Sequence, residues 1–453
     1  MLLRTGKRLN RAPPGGGHND DGLPLADEIL LLIFAGLLDT DDLARCAATC
    51  RRWRRLVSSE ASFICRSHPS RFVPAGFLHQ GEEYGVRAVP RFVPLSPHTP
   101  RAAAAANALF AGEPFASSRL VTARKGRLVL ELCGGGSRLR LAVCDPVAGD
   151  VGVLPALAGR DRPGRYACAL LAAGDDDDLA DMSSFRVVIV YDRRGFTACR
   201  TYSSDTGSWG PEGEVSGARV SGRSLAQAHA AAVVAGGAVF WRVRDAVLGL
   251  RLDGTPAEAT LEPLPEDWAT TRRDGGEGCA GGLLAVWPAD GRLCLCVVEA
   301  GMTRTRYDSC RWEYDVEVQV LFREHGDGGG SGGEDDGEKW DALHARSATV
   351  RLQAPSGSYG RMTRVCLRGL CEKSGVVFLA AGFASHDPHW EALYAVDLVK
   401  MDAQLVDGVP DLGSGVSFHG YEMDRVEYLT ALGKRRGKGK MTIDDAEDIY
   451  DFC

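Results

Sequence analysis

The stretch that separates this chain into two kinds of structure is residues 23–66, LPLADEILLLIFAGLLDTDDLARCAATCRRWRRLVSSEASFICR. Apolar residues in its first half follow an i, i+3/i+4 stripe, which predicts a helix over residues 26–38. A second helix is expected over residues 42–48, and a third begins near Cys50. Three short helices form a marginal unit, so their surplus of leucine and isoleucine must be covered by the next domain or by another protein.

The composition of the 453-residue chain is that of a soluble globular protein, with 45% hydrophobic and 25% charged residues. The net charge of -7 argues against a general nucleic-acid binder, which usually carries a basic excess. No apolar run reaches the roughly 18–20 residues that a membrane span needs, so no membrane partner is expected. The 14 cysteines are scattered and follow no secretory signal, which predicts reduced thiols and a cytoplasmic or nuclear location.

Two short motifs stand within residues 23–66, and the second is the more specific signal. The first is Asp-Glu-Ile-Leu at residues 27–30, and the second is Cys-Arg-Arg-Trp-Arg-Arg-Leu at residues 50–56. With the apolar positions between them, these motifs resemble an F-box, and the spacing matches that family through nearly all of its length. One departure is that Leu-Pro stands at residues 23–24, two residues earlier than is usual in the family.

The resemblance to an F-box implies a partner. F-boxes bind the Skp-type adaptor of an SCF-type ubiquitin ligase, and through it a cullin. The positions that match adaptor-binding positions of the family are Leu25, Ile29, Leu30, Ile33, Leu37, Leu43 and Trp53. The resemblance leaves open which of them contact the adaptor and which hold the helices together.

From residue 120 onward the sequence pattern changes from helical to alternating. Strand-length runs at residues 185–191 and 196–202 flank an Asp-Arg-Arg-Gly turn, which predicts a hairpin. Several strands follow a glycine, and the spacing of these glycines fits a degenerate repeat of roughly fifty residues. The glycines are Gly126, Gly237, Gly291 and Gly375. The pattern favours a degenerate β-propeller of roughly five to seven blades, with a large β-sandwich or a pair of barrels as the alternative.

Two runs in the β region carry a second resemblance. Leu-Ala-Val-Cys-Asp-Pro at residues 141–146 and Tyr-Ser-Ser-Asp-Thr-Gly-Ser-Trp at residues 202–209 resemble the β domains that follow the F-box in large plant families. This resemblance names no target protein.

The expected fold class is therefore α+β and multidomain, with a three-helix F-box at residues 23–66 and an all-β domain over residues 120–430. The remaining segments are expected to be a disordered leader at 1–22, a connector rich in proline and aromatic residues at 67–119, a flexible insert at 325–338 and a charged tail at 431–453. Proline is expected to exclude both helix and interior strand from the first part of the connector.

The expected function is that of a non-catalytic substrate-recognition subunit of an SCF-type ubiquitin ligase. A protein-interaction scaffold that works without a ligase is the alternative. A third hypothesis, a propeller enzyme such as a glycoside hydrolase, requires paired carboxylates that converge in a pocket. The sequence contains neither a phosphate-binding loop nor a His-Glu-x-x-His motif, so no cofactor and no metal are expected.

Overall fold

The computed structural model describes residues 25–37, 39–66, 71–83, 86–95, 100–112, 115–132, 138–172, 175, 184–225, 232–252, 257–265, 282–308, 311–323, 340–355, 362–383, 391–406 and 417–433. The expected leader, the expected insert and the tail beyond Gly433 lie outside these residues. The chain divides into two compact units. One combines Met1–Pro69 with Arg425–Cys453, and the other is Ser70–Asp424. We call them the helical unit and the β unit.

The helical unit contains four consecutive helices from the start of the chain and one from its end. They are α1 (Asp27–Leu37), α2 (Thr40–Thr49), α3 (Arg51–Ser59), α4 (Ala61–Cys65) and the C-terminal helix (Arg425–Gly433). The three predicted helices are confirmed. The prediction of a three-helix unit was nevertheless too small, because it included neither α4 nor the C-terminal helix.

Capping side chains determine where α2 and α3 begin. The carboxylate of Asp39 accepts a hydrogen bond of 2.8 Å from the backbone N–H of Asp42, which satisfies a free donor in the first turn of α2. The thiol sulfur of Cys50 accepts one of 3.4 Å from the backbone N–H of Trp53 at the start of α3. These two short polar connections therefore turn the chain from one helix to the next.

The described strands of the β unit form six larger sheets, which we number in chain order, and two short pairs, β2–β3 and β7–β10. The strand orders are β28-β1-β4 in sheet 1, β5-β6-β8-β9 in sheet 2, β11-β12-β13-β15 in sheet 3, β19-β18-β17-β16 in sheet 4, β20-β21-β22-β23 in sheet 5 and β24-β25-β26-β27 in sheet 6, with β14 paired to β13. Sheets 3 and 4 are joined by a two-residue parallel pairing between β15 and β19. The strands of the first half are β1 (Phe72–Gln80), β2 (Glu82–Glu83), β3 (Val86–Arg87), β4 (Arg91–Pro94), β5 (Arg119–Arg124), β6 (Arg127–Glu131), β7 (Arg138–Leu139), β8 (Leu141–Asp145), β9 (Asp150–Val153), β10 (Leu157–Ala158), β11 (Tyr166–Ala172), β12 (Phe185–Asp192), β13 (Thr197–Ser203), β14 (Ser208–Trp209) and β15 (Gly213–Gly217).

The second half of the β unit repeats the same antiparallel arrangement. Its strands are β16 (Val233–Ala235), β17 (Ala238–Val243), β18 (Ala246–Arg251), β19 (Glu258–Pro263), β20 (Leu283–Val286), β21 (Leu293–Asp308), β22 (Arg311–Arg323), β23 (Trp340–Gln353), β24 (Met362–Cys371), β25 (Val376–Phe383), β26 (Glu391–Asp397), β27 (Asp402–Val406) and β28 (Ser417–Asp424). Two helices, α5 (Pro100–Ala111) and α6 (Gly222–Leu225), connect strands. The hairpin predicted around residues 192–195 is confirmed by the pairing of β12 with β13.

The six sheets pack face to face in a ring. Buried apolar clusters fill the spaces between sheets 2 and 3, 3 and 4, 4 and 5, 5 and 6, and 6 and 1. Sheets 1 and 2 meet where the Tyr421 hydroxyl donates a hydrogen bond of 2.8 Å to the carbonyl of Gly126. The first strands of neighbouring sheets contact one another, as in the pairs β28–β5, β5–β11, β20–β24 and β24–β28. These inner strands therefore face the centre of the ring.

Packing on both faces explains why the central strands have continuous apolar sequences. In β25, Val377 and Leu379 lie in the cluster between sheets 5 and 6, whereas Phe378 and Ala380 lie in the cluster between sheets 6 and 1. Successive side chains of a strand point to opposite faces, so a strand between two cores needs apolar residues at every position.

The expectation that proline excludes an interior strand from the first part of the connector was wrong. β1 lies inside sheet 1, paired with β28 on one side and β4 on the other. Proline is tolerated there because the β1–β28 register shifts between Pro74 and Gly76, so the missing N–H falls at an irregularity. α5 also lies in this segment and holds β4 through the Asn107 side chain, which accepts a hydrogen bond of 2.9 Å from the N–H of Phe92.

The four repeated glycines occupy equivalent turns. Each one has a positive φ, between 68° and 79°, and each lies directly between the first and second strands of its sheet. Residues other than glycine rarely adopt this backbone conformation, so each of these turns requires a glycine although the strand sequences differ from sheet to sheet. Sheet 3 departs from this pattern, because twelve residues separate the end of β11 at Ala172 from the start of β12 at Phe185.

Gly420 gives a test of ring closure. A Cβ at this position of β28 would collide with the backbone carbonyl of Leu370 in β24. We expect Gly420→Ala to lower the free energy of unfolding by about 1–3 kcal/mol, since backbone atoms cannot move aside as a side chain can. Gly152→Ala is the matched control, because a Cβ at 152 would lie 4.0 Å from its nearest neighbour. Urea denaturation measures the free energy of unfolding of both variants. Equal values would contradict the close approach of β28 to the backbone of β24.

Candidate functional site

One side of α1 exposes apolar side chains. Leu25, Ile29 and Leu32 are 37%, 46% and 60% exposed. Ile29 and Leu32 lie three positions apart on one face of α1, and Leu25 precedes the helix by two residues. On another face of α1, Leu30 and Phe34 are each only 2% exposed. The helix therefore uses one apolar face for the interior of the helical unit, and no residue that the structure describes covers the second one fully. We call Leu25, Ile29 and Leu32 the α1 stripe.

Two contacts with α3 hold α1 in place. The Asp27 carboxylate accepts hydrogen bonds from Arg52 at 2.8 Å and from Arg55 at 3.3 Å. The rings of Phe34 and Trp53 pack edge to face with centroids 5.6 Å apart. Arg52 also donates to the carbonyl of Leu25. The arginines of the Cys-Arg-Arg-Trp motif thus bind the first turn of α1 and fix the direction in which the α1 stripe points.

The predicted adaptor-binding residues fall into several groups. Leu25 and Ile29 are exposed, Leu30 and Leu43 are buried at 2% and 0% exposure, and Ile33 and Trp53 are half-buried. Leu37 is the last residue of α1, and its side chain is not among those that the structure describes. In this conformation Leu30 and Leu43 pack within the helical unit. Which of the seven bind an adaptor stays a prediction.

Sequence reasoning overlooked Leu32, the most exposed residue of the stripe. It lies outside the i, i+3/i+4 pattern that leads from Ile29 to Phe34, and that pattern identifies the buried face. The spacing Leu25, Ile29, Leu32 was visible in the sequence as a second apolar stripe, but a single sequence does not say which of two stripes is covered.

In the β unit, a buried ion network gathers at the ends of four inner strands. Arg124 is buried and donates to both oxygens of Glu372 at 2.6 and 2.8 Å, and also to both oxygens of Asp175. Lys125 donates to Asp175 at 2.7 Å. Glu422 in β28 accepts three backbone hydrogen bonds of 2.9 Å from the turn after β24. Side chains from sheets 1, 2, 3 and 6 therefore meet at this end of the ring.

At the opposite ends of two of these strands lies a polar cluster that is partly open to solvent. Arg119 donates to Glu131 at 2.7 Å and to the Tyr166 hydroxyl at 2.9 Å, and that hydroxyl donates to Glu131 at 2.8 Å. The side chains of Arg119 and Glu131 are 33% and 28% exposed. Burial raises the pKa of Tyr166, so its hydroxyl stays protonated and serves as a donor.

The buried acids bear on the hydrolase hypothesis, which requires two carboxyl groups near one mouth of the ring. Asp175 and Glu372 do lie together, but Arg124 occupies both. Burial acts to raise the pKa of Asp175, yet hydrogen bonds from Arg124 and Lys125 lower it to about 2. A general acid needs a pKa near the working pH, so this pair is suited to hold sheets together and not to donate a proton.

The described residues were also compared with the requirements of a metal site and of a membrane-spanning helix. Within them, no group of three His, Cys, Asp or Glu side chains is arranged to hold a metal ion. None of the helices that the structure describes is long and apolar enough to cross a membrane.

Comparison with solved structures gives distant likenesses only. AztD from Citrobacter koseri shares 10% identity over 68% of this chain and 74% of its own length, with a TM-score of 0.28. A mutant of the GH43 protein BlXynB from Bacillus licheniformis shares 10% identity over 66% of this chain and 56% of its own length, with a TM-score of 0.28. Likeness at these TM-scores carries no argument about fold or function. None of the curated proteins matches the chain in sequence.

The helical unit, in contrast, has a clear family match. The F-box-like family model matches residues 24–66, which include all of α1 to α4 and the α1 stripe. The matched segment includes both the Asp-Glu-Ile-Leu and the Cys-Arg-Arg-Trp motifs, whose side chains join α1 to α3. Residues 24–66 of this chain are therefore an F-box-like domain, followed by a large all-β unit.

Proposed function

We propose that this protein is a substrate-recognition subunit of an SCF-type ubiquitin ligase. The observation that carries the proposal is the uncovered α1 stripe on an F-box-like domain. The Skp-type adaptor is the proposed occupant of the stripe, and a cullin is reached through the adaptor. Exposed apolar side chains aligned on one helix face provide the kind of surface that a partner helix or groove covers.

The proposed mechanism is proximity. The chain itself makes and breaks no bond, because an F-box is a non-catalytic module. By holding a target protein and the adaptor at once, it raises the effective concentration of target lysines near a ubiquitin-loaded enzyme elsewhere in the complex. The α1 stripe and the target-binding surface then act independently, and a variant of one should leave the other intact.

For the β unit we propose a six-bladed β-propeller. The face-to-face ring supports it, as does sheet 1, in which the last strand β28 pairs with the first strand β1 and so closes the ring. Propellers commonly bind partners at the ends of their inner strands. We place the target-binding surface at the end that contains Arg119, Glu131 and Tyr166, because the charged groups at the other end are buried and paired with one another.

Substitutions in the α1 stripe test adaptor binding. We expect Ile29→Asp and Leu32→Asp each to weaken binding of a purified Skp-type adaptor about 30-fold or more, as expected for interface hot spots, and the double variant to bind no adaptor. Both side chains are exposed, so the fold should persist. Leu30→Asp is a poorer probe, since Leu30 is buried and its loss would unfold the helical unit.

The control is Ser62→Asp, which adds the same charge at an exposed position of α4. Titration calorimetry on the full chain gives the dissociation constants. Wild-type affinity in both stripe variants would refute the stripe as the docking surface. A wild-type chain that fails to bind the adaptor, where another F-box protein binds it, would leave the interaction scaffold as the better description.

A further inference from the structure

The C-terminal helix belongs to the same compact unit as the F-box-like helices. Residues 425–433 follow directly after β28, yet they pack against α2, α3 and α4. The family match ends at residue 66 and does not include them. The helical unit is thus assembled from the two extremes of the described chain.

The contacts of the C-terminal helix are those of a core element. Tyr428, Leu429 and Leu432 are buried, with Leu429 fully so. At the end of the helix, a Cβ on Gly433 would lie 2.6 Å from the Cβ of Ser58 in α3, so the two helices approach as closely as a glycine permits. The helix is therefore held by its buried face and by the close approach at its C-terminal end.

The four F-box-like helices need the C-terminal helix to cover their inward side chains. Their inward side chains include Leu56, Val57 and Ile64, which are between 0% and 5% exposed with the C-terminal helix in place. Four helices of 5 to 11 residues form too small a unit to bury such residues well on their own. Since α3 in turn holds Asp27 and Phe34 of α1, support for α3 reaches the α1 stripe through two contacts.

We propose that the C-terminal helix is a positioning element for adaptor docking. It completes the interior of the helical unit behind α3 and α4 and thereby keeps α1 in the orientation that the adaptor binds. Adaptor binding then requires residues from both ends of the chain, and a chain that stops after Asp424 would retain every F-box-like residue and still dock poorly. The inference rests on the proposed adaptor binding.

The test compares two neighbouring positions of this helix in the full chain. Leu429 is buried and Thr430 is exposed. We expect Leu429→Asp to weaken adaptor binding at least tenfold and to speed amide hydrogen exchange in α3 and α4. We expect Thr430→Asp to change the affinity less than twofold and to leave exchange unchanged. Wild-type affinity and exchange in Leu429→Asp would overturn the proposal.

A milder pair of variants tests the same packing in case Leu429→Asp unfolds the helical unit. Gly433→Ala should push the C-terminal helix away from Ser58 and weaken binding several-fold, and adding Ser58→Gly should restore most of that loss by removing the colliding side chain. A loss in Gly433→Ala that the second substitution does not restore would contradict the packing. If the wild-type chain binds no adaptor, the proposed function fails, whereas the exchange data still decide whether this helix supports α3 and α4.

Discussion

Replacing Arg124 with methionine is expected to lower the free energy of unfolding of the β unit by about 3–5 kcal/mol, the loss typical of breaking a buried ion pair. The guanidinium makes paired contacts with both Glu372 and Asp175, and it also donates to the carbonyl of Leu170 at 3.2 Å. Methionine fills much of the same volume but leaves the buried Glu372 carboxylate without its paired contacts to the guanidinium, while Lys373 remains 3.3 Å away. The penalty is that of a buried charge that loses its main partner.

Two further variants separate charge from packing in the Arg124 experiment. Arg351→Met removes an arginine whose side chain is 56% exposed and pairs with Asp315 at 3.1 Å, so its loss should change stability by about 1 kcal/mol or less. Arg124→Met combined with Glu372→Leu removes both charges of one pair and should recover part of the stability. Urea unfolding followed by tryptophan fluorescence measures all of them, since Trp241 and Trp287 are buried in the β unit. Equal effects of Arg124→Met and Arg351→Met would show that the network is not structurally important.

The sequence predicted the part of the fold that depends on local pattern. The F-box-like helices follow from spacing within 44 letters of sequence, and the repeated glycines follow from a turn that demands a positive φ. The strands β12 and β13 were predicted nearly to the residue, because apolar runs bounded by turn residues have few other interpretations. Local physics is sufficient in each of these cases.

The remaining features depend on contacts between residues that are distant in the chain. Arg124 and Lys125 precede a turn glycine and look like an exposed turn, yet they are 4% and 9% exposed, because Glu372 lies 248 positions away in sequence and beside them in space. The C-terminal helix looks like the start of a charged tail, since the surface that covers it comes from α2 to α4. Neither partner can be inferred from one sequence without the topology.

The candidate docking site shows the same division. The motif located the site on the first helices, and the apolar pattern identified two faces of α1. Choosing the exposed face required the burial of Leu30 and Phe34, which depends on how α1 packs against α3 and α4. Leu32 was therefore overlooked, although it is the most exposed of the three stripe residues.

Acid is expected to destabilise the β unit through His79 and His419. Burial lowers the pKa of both imidazoles from 6.5 to about 4, with a smaller contribution from Arg91 near His79 and from Arg119 near His419. His419 is 2% exposed, and its Nδ1 has no hydrogen-bond partner among the described residues. A charge placed there would be neither solvated nor paired, so the folded state keeps this ring neutral.

The sign of the effect follows from the two pKa values of each histidine. Well above pH 6.5 both the folded and the unfolded state hold neutral imidazole, and the contribution of the histidines to stability is constant. As the pH falls from 6.5 towards 4, only the unfolded state binds the proton, so stability declines over that range. For His419 the decline amounts to roughly 3 kcal/mol at pH 4, because each pKa unit is worth about 1.4 kcal/mol. Burial raises the pKa of Glu422, which acts in the opposite direction and is common to every variant.

Comparing pH profiles isolates the histidine contribution. Urea unfolding of the wild type, His79→Leu, His419→Leu and the double variant between pH 4 and pH 8 should show the steepest decline below pH 6.5 in the wild type and the flattest in the double variant. The difference between wild type and His419→Leu should grow as the pH falls and be constant above pH 7. A profile for His419→Leu parallel to that of the wild type would mean that His419 titrates normally in the folded state, and that β28 leaves its side chain accessible to water.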